Sequence, residues 1–173
     1  MVKAKTKARR HIKRKKARQA MQKKISLPTI VPAILKDAEG IALVFKDAFP
    51  GDASYYKVRS WELEAKKVMR CHKGWICFVA LENGKVVGVI AAKHQKTRKM
   101  PTLRIEWLAV DSSQRGKGLG KALIEHVVRW IDSTFTDSRV RLTLRARTKV
   151  QDFYRKLGFR CYGSGWMKMV AKK

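Results

Sequence analysis

Acid, cysteine and long apolar runs are all scarce in this sequence, and each shortage closes off a class of protein. Only 13 of the 173 residues are Asp or Glu, against 41 Lys or Arg, so the formal charge is +28. A charge of that size speaks to partners rather than to architecture. It argues against an isolated metabolic enzyme as the whole account and favours a polyanion: DNA, RNA, a ribonucleoprotein or an acidic membrane surface. The three cysteines (Cys71, Cys77, Cys161) are odd in number and form no C-x-x-C pair. That suits free thiols in a reducing compartment rather than a disulfide framework. Cys71-His72 resembles half a metal site, but no second ligand pair follows at zinc spacing, and His11, His72, His94 and His126 are scattered; no metal is expected. The longest apolar runs, such as 86–92 with Gly88 inside it, fall far short of the ~20 residues of a membrane span. The basic N-terminus lacks the apolar h-region of a secretory signal.

What is present is enough for one domain and a core. The hydrophobic fraction is 45%, well above that of a disordered chain. Composition divides the chain after residue 24. Twelve of the first 24 residues are cationic: Lys3, Lys5, Lys7, Arg9, Arg10, Lys13, Arg14, Lys15, Lys16, Arg18, Lys23 and Lys24; the first acid of the whole chain is Asp37. Such a block repels itself and buries nothing, so residues 1–24 read as an intrinsically disordered arm. Counterion release makes twelve clustered cations a strong ligand for nucleic acid. Residues 25–173 keep 29 basic against 13 acidic residues, or +16, and form the folded domain.

Periodicity within that domain alternates helix and strand. A first strand over 29–35 is broken by Pro32. A helix follows Asp37, with Ala38, Ile41, Ala42, Phe45 and Phe49 recurring on one face, and a second helix is predicted over 55–70. Strands at 75–81 and 86–92 flank Asn83-Gly84, a hairpin signal. A strand at 103–110 runs through loop 111–118 into a helix at 119–131. A half-buried strand follows at 139–144, then a short helix at 151–157 closed by Gly158, then one or two strands over 159–170. The five tryptophans fall in periodic segments and read as core. The fold class is mixed α/β.

The chemistry-bearing segment is Gln114-Arg115-Gly116-Lys117-Gly118-Leu119-Gly120, directly after a strand and opening a helix. Glycines let backbone N–H groups approach an anion, and a helix N-terminus adds unpaired donors. Arg115 and Lys117 add charge, so the loop is expected to hold a phosphate or pyrophosphate. It is no P-loop, because Gly116 and Gly120 stand one residue too close and Lys121 is followed by Ala122. Nor is it a dinucleotide fingerprint, whose third glycine would stand at Lys121.

The loop resembles the acyl-CoA loop of the GNAT superfamily of N-acetyltransferases, Q/R-x-x-G-x-G/A. Residues 106–111 resemble that family's fourth strand, and Phe153-Tyr154-Arg155-Lys156-Leu157-Gly158-Phe159 resembles its F-Y-x-K-x-G-F segment. The resemblance covers roughly residues 25–170. It implies a central, mostly antiparallel twisted sheet flanked by about four helices. It implies acetyl-CoA as cosubstrate, its pantetheine arm along Leu108, Ala109 and Val110 and its pyrophosphate on the N–H groups from Arg115 through Gly116, Lys117, Gly118 and Leu119 to Gly120, with Gln114 opening the motif. It implies direct attack by a neutral amine, an N–H near Leu108 on the developing oxyanion, and Tyr154 as the acid toward the departing thiolate. Glu106 is the best candidate base. Many family members carry Asn where this chain has Arg147, which is expected to contact a CoA phosphate or to belong to a nucleic-acid face.

Three functions follow as expectations. One is an N-acetyltransferase acting on a primary amine of a protein, tethered by its arm to nucleic acid or a ribonucleoprotein. The second is a GNAT fold with weak or lost catalysis, serving as a basic nucleic-acid-binding assembly component of a virion or ribosome. The third is a small-molecule acetyltransferase, which the +16 domain disfavours for cationic acceptors. The expected location is cytoplasmic or nucleic-acid-associated: nucleoid, ribonucleoprotein or virion interior.

Overall fold

A computed structural model of the chain describes residues 28–51, 56–70, 73–97 and 100–171. The basic arm expected over residues 1–24 and the Cys71-His72 pair lie outside the described residues. Seven strands form one sheet: β1 (Thr29–Pro32), β2 (Trp75–Glu82), β3 (Lys85–Gln95), β4 (Thr102–Val110), β5 (Val140–Arg145), β6 (Arg160–Cys161) and β7 (Trp166–Ala171). Their spatial order is β1-β2-β3-β4-β5-β7-β6. Each neighbouring pair is antiparallel except β4 with β5, which is parallel. The α-helices are α1 (Ala38–Ala48), α2 (Trp61–Val68), α3 (Leu119–Thr134) and α4 (Gln151–Lys156). The mixed α/β architecture is as periodicity predicts, and the mostly antiparallel sheet is as the resemblance implies.

Most segments stand where periodicity places them. Asn83 and Gly84 both take positive φ, 51° and 76°, as the two-residue turn between twisted strands requires. α2 is shorter than predicted. The Ser60 hydroxyl accepts the Leu63 N–H at 3.2 Å from an extended backbone, so the helix starts at Trp61. α3 runs on to Thr134, past the predicted 131.

Two cores form, one on each face of the sheet. α3 buries Leu119, Leu123, Ile124, Val127 and Ile131 against Phe78, Ile90, Leu103, Leu142, Leu144, Phe159 and Met167. On the other face α1 and α2 bury Ile41, Val44, Phe45, Trp61, Ala65 and Val68 against Cys77, Val79, Val89, Ala91 and Ala109. The 3.6-residue apolar spacing of the helices and the period of two along β2, β3 and β4 meet at these faces. Trp61 and Trp75 are buried, and Trp107 and Trp130 are half-buried against the same cores. Among the described residues no helix is long and apolar enough to cross a membrane.

Candidate functional site

The sheet opens between β4 and β5. β4 pairs with β5 only from Thr102 to Ile105, opposite Arg141 to Leu144. Beyond Ile105 the two parallel strands part. On its other edge β4 stays paired with β3, but the register slips there: Ala92 faces Ile105 and Ala91 faces Trp107, so Glu106 is the extra residue of a bulge. A bulge bends its strand and increases the local twist. The backbone of β4 from Glu106 to Val110, with Leu108, Ala109 and Val110 in sequence, therefore borders an opening. Leu108 and Val110 are half-buried and pack on the α3 core, and Ala109 is buried in the other core.

The glycine loop follows directly. The Asp111 carboxylate accepts the Ser113 N–H at 2.9 Å and the Ser113 hydroxyl at 2.5 Å, shaping a short 3-10 turn over Ser112–Gln114. Those bonds, with the charge of Arg115 as a smaller cause, hold the Asp111 carboxyl below its usual range. Gly116 (φ 75°) and Gly118 (φ 84°) then reverse the chain in the left-handed region, which a side chain adopts only with strain. Gly118 is the N-cap of α3, and no side chain caps that helix. A Cβ on Gly116 or Gly118 would meet nothing within 4 Å among the described residues, so the glycines leave that side of the loop open to them as well as allowing its turn. No carboxylate stands in the first turn of α3. Unpaired N–H groups at the start of a sixteen-residue helix are suited to an anion such as a pyrophosphate.

The loop's own side chains do different work from its backbone. The Gln114 amide donates to Glu82 Oε2 at 2.7 Å, tying the loop to the end of β2. The Arg115 guanidinium bonds Asp47 Oδ2 at 2.8 Å and the Val110 carbonyl at 3.0 Å. Lys117 is exposed, with its ammonium 3.4 Å from the Gln114 amide oxygen. Leu119 is buried in the core, so only its backbone faces the loop. Gly120 lies under α4: the Phe153 ring is 3.5 Å from where its Cβ would be.

Tyr154 packs on the same core as Leu108 and Val110, its ring 5.0 Å from Phe153 and 5.7 Å from Phe159. Burial pushes its phenol up to about 12, so the hydroxyl stays protonated across the neutral range. Glu106 forms an ion pair with the neighbouring Arg104, whose Nε donates to its Oε1 at 2.6 Å. Arg147 leads away from β5 and lays its guanidinium 5.6 Å above the Tyr56 ring. Tyr56 stands 5.3 Å from Phe49 and 5.4 Å from Trp61, and Trp107 packs 5.2 Å and 5.6 Å from the same two rings. An aromatic wall thus flanks the opening on the α1/α2 side, and Arg147 meets it from across.

Three residues that carry the site are not visible as such in the sequence. Glu64 is a buried carboxylate on α2 that accepts the Trp107 indole N–H at 2.8 Å and the Lys67 ammonium at 2.9 Å. Asp47 and Glu82 anchor the loop from α1 and β2. Their only sequence signal is being acids in a chain short of acid. A cavity of about 890 Å³ lies between α1 and the β2–β3 hairpin, and its lining includes the carboxylates Asp37, Glu39, Glu82 and Asp111. It is formed by the outer side of those elements rather than by the β4–β5 opening. Among the described residues no group of three or more His, Cys, Asp or Glu is arranged to hold a metal ion.

Comparison with known proteins agrees with this geometry. The family described as acetyltransferase (GNAT) domain matches residues 73–161, just over half of the chain. The chain is similar to the N-acetylaspartate synthetase of Xenopus tropicalis, 36% identical over 88 residues covering 50% of this chain and 32% of that protein. It therefore spans about a third of the length of that relative. It is 29% identical over 144 residues to an uncharacterised N-acetyltransferase of Methanocaldococcus jannaschii, covering 76% of this chain and 61% of the relative. Its fold is similar to an aminoglycoside 6'-N-acetyltransferase crystallised with coenzyme A, with a TM-score of 0.68 at 15% identity over 84% of this chain and 98% of the other.

Proposed function

The chain belongs to the GNAT acetyltransferase family, and from that premise we propose that it transfers an acetyl group from acetyl-CoA to a primary amine on a protein. The observation that carries this reading is the parting of β4 from β5 directly ahead of a glycine loop that opens α3, with Tyr154 packed on the same core. Acetyl-CoA supplies an acyl thioester, already activated toward an amine. The backbone of Leu108 to Val110 would align the pantetheine amides as a strand aligns its neighbour. The N–H groups from Gly116 to Gly120 would hold the pyrophosphate, since the Arg115 N–H is engaged by the Ser112 carbonyl at 3.3 Å. An N–H near Leu108 would stabilise charge developing on the acyl oxygen.

Glu106 would take the proton of the attacking amine, directly or through water. Its bridge to Arg104 orients it at the bulge. Tyr154 would donate to the departing sulfur. A phenol near 12 facing a thiol of about 8.5 transfers its proton uphill. Its main contribution is therefore a hydrogen bond to the developing thiolate. Arg147, turned onto Tyr56, would contribute charge at the mouth of the opening.

The arm over residues 1–24 would tether the enzyme to nucleic acid or a ribonucleoprotein, giving a cytoplasmic, nucleoid or particle-associated location. What supports it is the density of twelve cations without an acid. Titration of acetyl-CoA into the full chain by calorimetry tests the enzyme reading, with Gly118→Glu as control. Micromolar binding that the control abolishes is expected; no binding at millimolar acetyl-CoA overturns the reading. The tether is tested by comparing the salt dependence of RNA and DNA binding with and without residues 1–24. A steep slope that survives the truncation would relocate the nucleic-acid site to the domain.

A further inference from the structure

We propose that the acetyl acceptor presents an oxyanion, a carboxylate or a phosphate ester, on the polypeptide that carries its amine, and that the half of the sheet beside the opening binds it. This rests on the acetyltransferase reading above and adds its substrate class. α1 packs over β3 and β4, and α2 over β2. Next to them on the same face, β4, β5 and β7 floor a cavity of about 370 Å³. Its lining includes Arg104, Arg141, Thr143, Lys168, Tyr162 and Trp166, and no Asp or Glu among the described residues.

The sheet register explains why the cations converge. Lys93 pairs with Arg104, Arg104 with Thr143, Thr143 with Lys168, and Lys168 with Arg160. Directly paired residues share a face, so four cations lie in one row across five strands, with Thr143 at its centre. Arg141 stands two residues before Thr143 and joins the same face. Like charges directly opposite one another destabilise a sheet, and the fold has no need of them. Arg104 has Glu106 as a partner. Arg141 and Lys168 have no ion-pair partner among the described residues. A bound oxyanion relieves that repulsion and uses the donors in charge-assisted hydrogen bonds.

Two features choose the occupant. Lys168 lies 5.1 Å over the Tyr162 ring and Arg104 5.9 Å over the Trp166 ring. Those ring faces already carry cations, so they are no free platform for stacking nucleic-acid bases. The floor is also close to the chemistry. Arg104 is three residues from Trp107 along β4, roughly 10 Å at about 3.3 Å per residue. A polypeptide with an acidic group one to three residues from its reacting amine spans that distance. A cationic acceptor would meet the row of like charge instead.

The test titrates three peptides into the full chain by calorimetry, each with one central lysine flanked by glutamates, by phosphoserines or by glutamines. A short single-stranded RNA forms a fourth arm. The proteins are the parent, the variant R141Q/K168Q, and a charge-matched variant R129Q/R139Q altered outside the cavity. Thermal melts confirm that both variants fold, and acetyl-CoA is titrated into each. The expected result is binding of a glutamate or phosphoserine peptide about tenfold tighter than the glutamine peptide. That preference falls in R141Q/K168Q and not in R129Q/R139Q, with acetyl-CoA binding unchanged. Which acidic peptide binds more tightly distinguishes carboxylate from phosphate. Equal loss in both variants, or no preference over the glutamine peptide, overturns the proposal. So does an RNA affinity that R141Q/K168Q reduces while leaving the peptides alone. If the parent binds no acetyl-CoA, the enzyme reading fails by itself, and the peptide titrations still judge the anion floor.

Discussion

Arg115 Nη2 lies 2.8 Å from Asp47 Oδ2, joining the glycine loop to the last turn of α1 across 68 residues of sequence. The same carboxylate oxygen accepts the Ser112 N–H at 2.7 Å. Arg115 also donates to the Asp47 carbonyl at 3.0 Å, so the cation completes the C-terminal end of the helix as well. The guanidinium is therefore occupied in holding the loop in place, and the Arg115 N–H donates to the Ser112 carbonyl at 3.3 Å, which leaves the loop's later N–H groups for an anion. An ion pair this exposed contributes up to about 1 kcal/mol; its effect on loop geometry is the larger consequence.

Asp47→Ala is expected to weaken acetyl-CoA binding by about three- to tenfold, because it releases Arg115 and the Ser112 N–H together. Global stability should drop by no more than about 1 kcal/mol. Calorimetry and urea unfolding on one preparation check the pair of values. A loss of stability with unchanged acetyl-CoA affinity would show that the tie does not position the loop.

Tyr154→Phe removes the hydroxyl and keeps the ring that packs on Phe153 and Phe159. A fall in kcat of about 100-fold with little change in acetyl-CoA affinity is expected for a donor to the leaving sulfur. Thiol release under saturating acetyl-CoA measures it. Unchanged kcat would leave Tyr154 a core aromatic.

The same phenol makes stability depend on alkaline pH. Its folded value, about 12, lies above the ordinary value of 10, so the unfolded chain loses its proton first as pH rises. The protonated phenol's contribution is fully present below pH 10 and is lost between about 10 and 12, amounting to roughly 2–3 kcal/mol. Urea midpoints measured from pH 9 to 11.5 should fall more steeply for the parent than for Tyr154→Phe. Parallel curves would contradict the assignment.

Glu64→Ala leaves the half-buried Trp107 indole N–H without its acceptor and frees the exposed Lys67 ammonium. A loss of about 2 kcal/mol is expected, with a change in tryptophan fluorescence as Trp107 loosens. Glu64→Gln, which keeps an acceptor for the indole, should lose about half as much. Equal effects of the two would assign the cost to the lost charge rather than to the hydrogen bond.

Local features of the chain were legible before the fold. Asn83-Gly84 marks its turn because positive φ at two successive positions suits few other residues. Gly116 and Gly118 announce a backbone that reverses and lies open. Tyr154 could be singled out by its neighbours in the F-Y-x-K-x-G-F segment. The start of α2 was less legible, since Ser60 acts as a cap only once the helix has packed Trp61, Ala65 and Val68 into the α1 core. The engagement of Arg115 with Asp47, of Gln114 with Glu82 and of Glu64 with Trp107 had no local signal.

By itself, then, the sequence determined the alternation of elements, the glycine loop at the head of α3 and the surplus of positive charge. All three depend on neighbours within a few residues or on composition alone. Tertiary structure decided which charges are spent on the protein itself and which face outward. Arg115 and Gln114 brace the loop, Glu106 is held by Arg104, and Arg141 and Lys168 share the floor of one cavity. Those outcomes follow from strand register and helix placement. A one-residue shift in β5 or β7 would turn the same cations to the opposite face.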